Sequence, residues 1–136
     1  MTTLPLHQLV AGLRAQAEGA FGAEAAAELL IAHDVWLRRQ DFLDHLVDQE
    51  VRVRWDHTSE RWEEPIVWVD WPAAPRFLDR RACSSSEEKI LRLAAELVNV
   101  DSGVPLGHLL TGLDDRNARL VADAIDHVLT RGGGRR

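Results

Sequence analysis

Six histidines, one cysteine and a few carboxylate pairs are the residues of this chain whose types could do chemistry. His7, His33, His45, His57, His108 and His127 show no HExxH spacing and no close His/Cys pair, so they give no zinc-type ligand set. Asp41 and His45 lie one helical turn apart and offer two ligands. A metal site needs three or four, and an exposed helical ion pair accounts for the same spacing. His33 sits on an apolar stripe and reads as a core histidine held by a hydrogen bond. Cys83 follows Arg80 and Arg81 and precedes a helix start, two features that lower a thiol pKa, but no histidine near it in sequence supplies the base that a cysteine nucleophile needs. The run Ser84, Ser85, Ser86 suits helix capping. The adjacent pairs Glu63/Glu64 and Asp114/Asp115 point apart on a turn or helix start and suit solvation or the helix dipole rather than acid–base work. The residue types therefore point to no catalytic group, no metal and no cofactor.

Recognition chemistry is better represented. The stretch RWEEPIVWVDWPAAP, residues 61 to 75, holds three of the five tryptophans of a chain without tyrosine. If residues 66 to 69 form a strand, apolar side chains lie on both of its faces, which places Trp68 in the core. Trp71, at a helix start, reads as a staple between hairpin and helix. Trp62 lies among Glu60, Arg61, Glu63 and Glu64, where no apolar neighbour explains it, and is the candidate exposed anchor. With Trp36, Arg38, Arg39, Arg52 and Arg54 it makes up the expected partner-binding set.

The elements that must position these residues are mostly helical. Leu6, Leu9, Val10, Leu13 and Ala17 recur at helical spacing behind Pro5 and predict a helix over 5–18. From Ala23 the apolar positions reach Trp36 and Leu37 before their phase shifts to Phe42, Leu43, Leu46 and Val47. Either one helix rotates its buried face there, or Asp34 caps a second helix after a tight turn. Val51, Val53 and Trp55 alternate with Arg52, Arg54 and Asp56, the period-two pattern of a strand with one buried and one solvated face. With the return run 66–69 they predict a hairpin over 51–69 with a long tip. Asp70 can cap a short helix containing Pro75 in its first turn. Ser85 and Glu88 form a capping box for a helix with Ile90, Leu91, Ala94, Leu97 and Val98 on one face and Glu88 and Arg92 outside. A short helix carries Leu106, Leu109 and Leu110. The last, starting at Asp114 or Asp115 and ending at Gly132, turns Leu120, Val121, Ala124, Ile125, Val128 and Leu129 inward. The expected fold is thus mainly α with one short β-hairpin, an α+β single domain of about six helices over 1–131, with a disordered tail at 132–136. Its N-terminal half can also be read as winged-helix-like.

Composition narrows the function classes. The 136 residues are 46% hydrophobic and 28% charged, ordinary values for one globular core. A single cysteine forbids an internal disulfide, the start lacks the basic and apolar regions of a secretion signal, and no apolar run approaches a bilayer span, which together predict a cytoplasmic, non-membrane protein. The stretches CSSSEEKILRLAAELV and GLDDRNARLVADAIDHVL, preceded by the Asp70–Trp71 dipeptide, resemble the C-terminal half of short, mainly helical proteins of actinobacteria. That resemblance spans about residues 66 to 130 and implies a compact helical fold without supplying catalytic residues.

The leading expectation is a non-enzymatic protein–protein interaction module, an adaptor or regulatory subunit with a protein partner. The alternatives are a winged-helix nucleic-acid binder, with the hairpin arginines as a wing, and an enzyme whose site assembles from distant residues. A net charge of −6, with Asp41, Asp44 and Asp48 on the would-be recognition helix, argues against nucleic acid. Surplus apolar helix faces predict a homodimer through helical surface around Trp36.

Overall fold

Caps and hydrophobic periodicity resolve into seven α-helices and one antiparallel hairpin in the computed structural model, which describes residues 4–132. The helices are α1 (Leu6–Ala17), α2 (Phe21–His33), α3 (Gln40–Leu46), α4 (Ala74–Leu78), α5 (Ser85–Leu97), α6 (Leu106–Leu110) and α7 (Asp115–Gly132). The strands are β1 (Val47–Trp55) and β2 (Arg61–Val69), and tight 3-10 turns precede α3 at Trp36–Arg38 and α4 at Trp71–Ala73. The mainly helical α+β class follows. Most of the expected tail, residues 133–136, lies outside the described residues.

One core cluster joins every layer. α2 packs against both α5 and α7, while α1 lies against β2. Two glycines permit these approaches: a β-carbon at Gly12 would fall 2.6 Å from Val67 Cγ2 and 3.1 Å from the Pro65 carbonyl oxygen, and one at Gly22 would collide with the Leu97 carbonyl oxygen. Gly22 thus lies within α2 where that helix meets the end of α5.

The phase shift near residue 34 is a break between helices, not a rotation within one. Asp34 takes a left-handed conformation (φ 59°) that ends α2, its N–H donating to the Leu30 carbonyl, so it closes one helix rather than capping the next. Asp70 likewise caps nothing with its side chain; its carbonyl accepts from the Ala73 N–H. Pro75 falls in the first turn of α4, where a missing N–H costs no helical hydrogen bond.

The capping box lies one residue earlier than the sequence reading placed it. The Ser84 hydroxyl accepts from the Glu87 N–H at 3.1 Å, and the Glu87 carboxylate accepts from the Ser84 N–H at 2.9 Å. Ser84 has extended backbone (ψ 160°), whereas Ser85 is already the first helical residue. Glu88 and Arg92 do pair, but not on the outside. Arg92 is 5% exposed and also donates to Asp79 Oδ1 at 2.9 Å and to the Ser102 carbonyl, clamping α5 to the end of α4 and to the loop before α6.

Ser84→Ala is expected to lower stability by about 1 kcal/mol, the usual loss for an N-cap, and Ser85→Ala by much less. Chemical denaturation of the two variants separates these positions, and equal losses would contradict the assignment.

Candidate interaction surface

The apolar face of the hairpin outruns the body that covers it. Opposed residues in the register share a face, so Val47/Val69, Gln49/Val67, Val51/Pro65, Val53/Glu63 and Trp55/Arg61 lie on one side. At the root that side is core: Val67 is fully buried beneath α1, and Val47 and Val69 pack against the cluster. From residue 51 outward it meets solvent, with Val51 47%, Val53 42% and Trp55 64% exposed. The alternation that predicted a buried face is present, but nothing in the described chain reaches far enough to cover it. At about 3.3 Å per residue, a nine-residue strand is roughly 30 Å long, more than a single helix laid across its root can shield.

The opposite side carries Asp48/Trp68, Glu50/Ile66, Arg52/Glu64 and Arg54/Trp62. Trp62 is 47% exposed, as its polar setting suggested, and stands directly across from Arg54. Trp68 is half-buried on this outer side and lies outside the core cluster, contrary to its assignment as core. Trp71 does pack against the core.

Of the six expected partner-binding residues, the structure gathers Arg52, Arg54 and Trp62 on this side of the hairpin and assigns the others elsewhere. Trp36 is fully buried, its indole N–H donating to the Glu87 carbonyl at 3.0 Å, so it is no contact surface and no dimer contact can run through it. The Arg39 guanidinium lies 4.7 Å from the Trp36 ring centre, grips Asp41 with two hydrogen bonds and donates to the Ala82 carbonyl. Arg38 forms an exposed ion pair with Asp34. Each hairpin arginine is paired with a glutamate: Arg52 with Glu50 at 3.9 Å, Arg54 with Glu64 at 2.8 Å, Arg61 with Glu63 at 3.3 Å. Sequence periodicity misses a second apolar strip, Ile125 and Leu129 on α7, which points outward rather than into the core.

The residues with catalytic types do not converge. Among the described residues no three His, Cys, Asp or Glu side chains come together as metal ligands. His45 makes no ion pair with Asp41, whose carboxylate is occupied by Arg39; its Nδ1 contacts the Asp41 carbonyl at 2.9 Å and its Nε2 the Arg81 guanidinium at 2.9 Å. A guanidinium can only donate, so these partners select the tautomer protonated at Nδ1. Among the described residues the one histidine–carboxylate ion pair is Glu24 with His127, 2.8 Å apart across α2 and α7 and invisible in sequence because 103 positions separate them. It lines an open depression of about 310 Å³ with Arg14, Glu18, Glu28 and Arg131. The depression contains no serine, threonine or cysteine, Arg14 is tied to Glu28 at 2.8 Å, and Glu24 also accepts from the Gly19 N–H, the contact that chiefly holds its carboxyl below the ordinary range. The pair fastens helix to helix. No protein-family model, no curated protein and no solved structure matches the chain.

Cys83 differs from the sequence reading in direction. Burial foremost, then Glu88, raises its thiol pKa, and Glu87 adds to this against the opposing Arg39 and Arg92. Native Cys83 is therefore expected to react with a thiol reagent at about pH 8 several-fold more slowly than the unfolded chain, as a raised pKa implies. A native rate equal to or above the unfolded one would contradict this.

His33 is buried as expected, yet its Nδ1 has no partner among the described residues. Burial foremost, then Arg116, lowers its pKa from 6.5, against Glu87, Asp114 and Asp34. Below that value the unfolded chain binds a proton that the folded chain resists, so this histidine withdraws stability as pH falls from about 6.5. Thermal melts are expected to show a larger drop from about pH 7.5 to about pH 5.5 in the native chain than in His33→Leu. Parallel profiles would exclude His33 as the cause.

Proposed function

We propose that this chain is a non-enzymatic protein-interaction module of the cytoplasm, an adaptor or regulatory subunit, whose contact surface is the outer half of the β1–β2 hairpin. The observation that carries this reading is the apolar face of Val51, Val53 and Trp55, which continues the core side of the hairpin into solvent and is left open by the described residues. Scattered exposed leucines need no explanation; two valines and a tryptophan on one face of a projecting strand do.

Several features favour this over a winged-helix nucleic-acid binder. The helix in the recognition position, α3, has only seven residues, and Phe42, Leu43 and Leu46 turn into the core. Its outward residues include Asp44, and the wing arginines already face glutamates, leaving little positive field to neutralise phosphates.

A photo-crosslinking residue placed at Val53 in living cells tests the assignment, with the exposed Arg76 of α4 as the control position. Discrete adducts that protease destroys and nuclease spares are expected at 53 and not at 76. Nuclease-sensitive adducts would transfer the surface to nucleic acid, and no adduct at 53 would overturn the reading.

A further inference from the structure

The hairpin leaves one backbone edge unpaired. β2 is flanked by β1 on one side and lies against α1, whereas no element other than β2 and the adjoining α3 packs extensively along β1 among the described residues. Its outward N–H and C=O groups lie along a nine-residue strand without proline or bulge, two of the devices that keep such an edge from pairing, and its four charged residues are of both signs.

Its charges run in a definite order. Asp48 and Glu50 precede Arg52 and Arg54, all on one face, and the apolar Val47, Val51, Val53 and Trp55 share the other with Gln49. A two-fold axis normal to the sheet pairs β1 antiparallel with a second β1 while keeping each face on its own side, which requires the axis to pass through a residue. Centred on Val51, it sets Asp48 opposite Arg54 and Glu50 opposite Arg52, each pair occurring twice. On the other face it sets Val51 against Val51 and Val47 against Trp55. Moving the axis one residue either way places Glu50 against Glu50 or Arg52 against Arg52. Asp48 is exposed and has no ionic partner within the described chain, and the in-strand Arg52–Glu50 pair is long at 3.9 Å. Trp55, the most exposed tryptophan, would lie beside Val47 at the margin of the other copy's core.

We propose that the occupant of the β1 edge is a second copy of this chain, paired antiparallel about Val51 to form a continuous four-stranded sheet. This rests on the hairpin as the contact surface and names its partner; it also replaces the helical dimer expected from sequence.

Sedimentation equilibrium of the full chain at tens of micromolar protein tests it, with circular dichroism to establish that each variant is folded. A mass of twice 15.3 kDa is expected. Glu50→Arg or Arg52→Glu alone should weaken association about tenfold or more, as two attractive cross-strand pairs become repulsive, and the double exchange should restore it. Val51→Lys, which brings two ammonium groups together on the axis, should give monomer. A native chain that sediments as monomer overturns the proposal, and adducts to a different protein at position 53 would then leave the interaction-module reading standing. A dimer indifferent to Val51→Lys and to both single reversals also overturns it, moving the contact to a surface such as the Ile125/Leu129 strip. A double exchange that stays monomeric overturns the register.

Discussion

Burial of Trp36 fixes where the hairpin can go. The side chain is fully enclosed, its one polar atom is satisfied by the carbonyl of Glu87, and its ring meets Phe42 at 5.7 Å and Phe77 at 6.0 Å between centres. Phe42 belongs to α3, Phe77 to α4 and Glu87 to the first turn of α5, so one indole ties together three helices that are distant in sequence. α3 then runs into β1 without a linker, Leu46 being its last residue and Val47 the first of the strand. The Asp70 N–H donates to the Leu46 carbonyl at 2.7 Å, bringing the end of the hairpin back to its start. The arm therefore projects from a clamped root. Truncating an enclosed tryptophan costs about 3–5 kcal/mol in general, a large share of the stability of a domain this size, so the cluster must persist for the arm to keep its direction.

Polar side chains inside the body are largely spent on holding it together. Arg92 joins α5 to Asp79 and the Ser102 carbonyl, Arg39 joins the Trp36 turn to Asp41 and Ala82, and Glu24 joins α2 to His127. Several groups whose types could serve catalysis or nucleic-acid binding, among them Arg39, Arg54, Arg92 and Glu24, already have partners. The outer hairpin is different, because its apolar side chains have no counterpart within the described chain. The proposed contact surface is thereby one defined by missing cover among the described residues.

Much of the scaffold was legible because local periodicity determines it. The stripes of α1 and α5, the proline in the first turn of α4 and the alternation of β1 each express short-range geometry that sequence carries directly. Failures came where tertiary reach decides. Alternation identifies the hairpin but carries no information on where the body stops, so residues that lie exposed beyond Gln49 look in sequence like one side of a core. Trp36 looked like a surface anchor because its partners Phe77 and Glu87 lie 41 and 51 residues away, and the His127–Glu24 contact was hidden for the same reason. The capping box slipped by one because three successive serines offer equivalent hydroxyls, and only the extended backbone at Ser84 selects among them. For Cys83 the neighbouring arginines and the helix start both predict a lowered pKa, whereas burial and the glutamates of α5 raise it.

Hydrogen–deuterium exchange of the full chain at two protein concentrations most directly tests whether the outer hairpin pairs with a second copy of the chain and is not merely a solvated arm. Amides in residues 47–55 are expected to exchange more slowly at the higher concentration, while those of α7 remain unchanged. Exchange in 47–55 that is the same at both concentrations, or protection that grows along α7 around Ile125 and Leu129 instead, would contradict it.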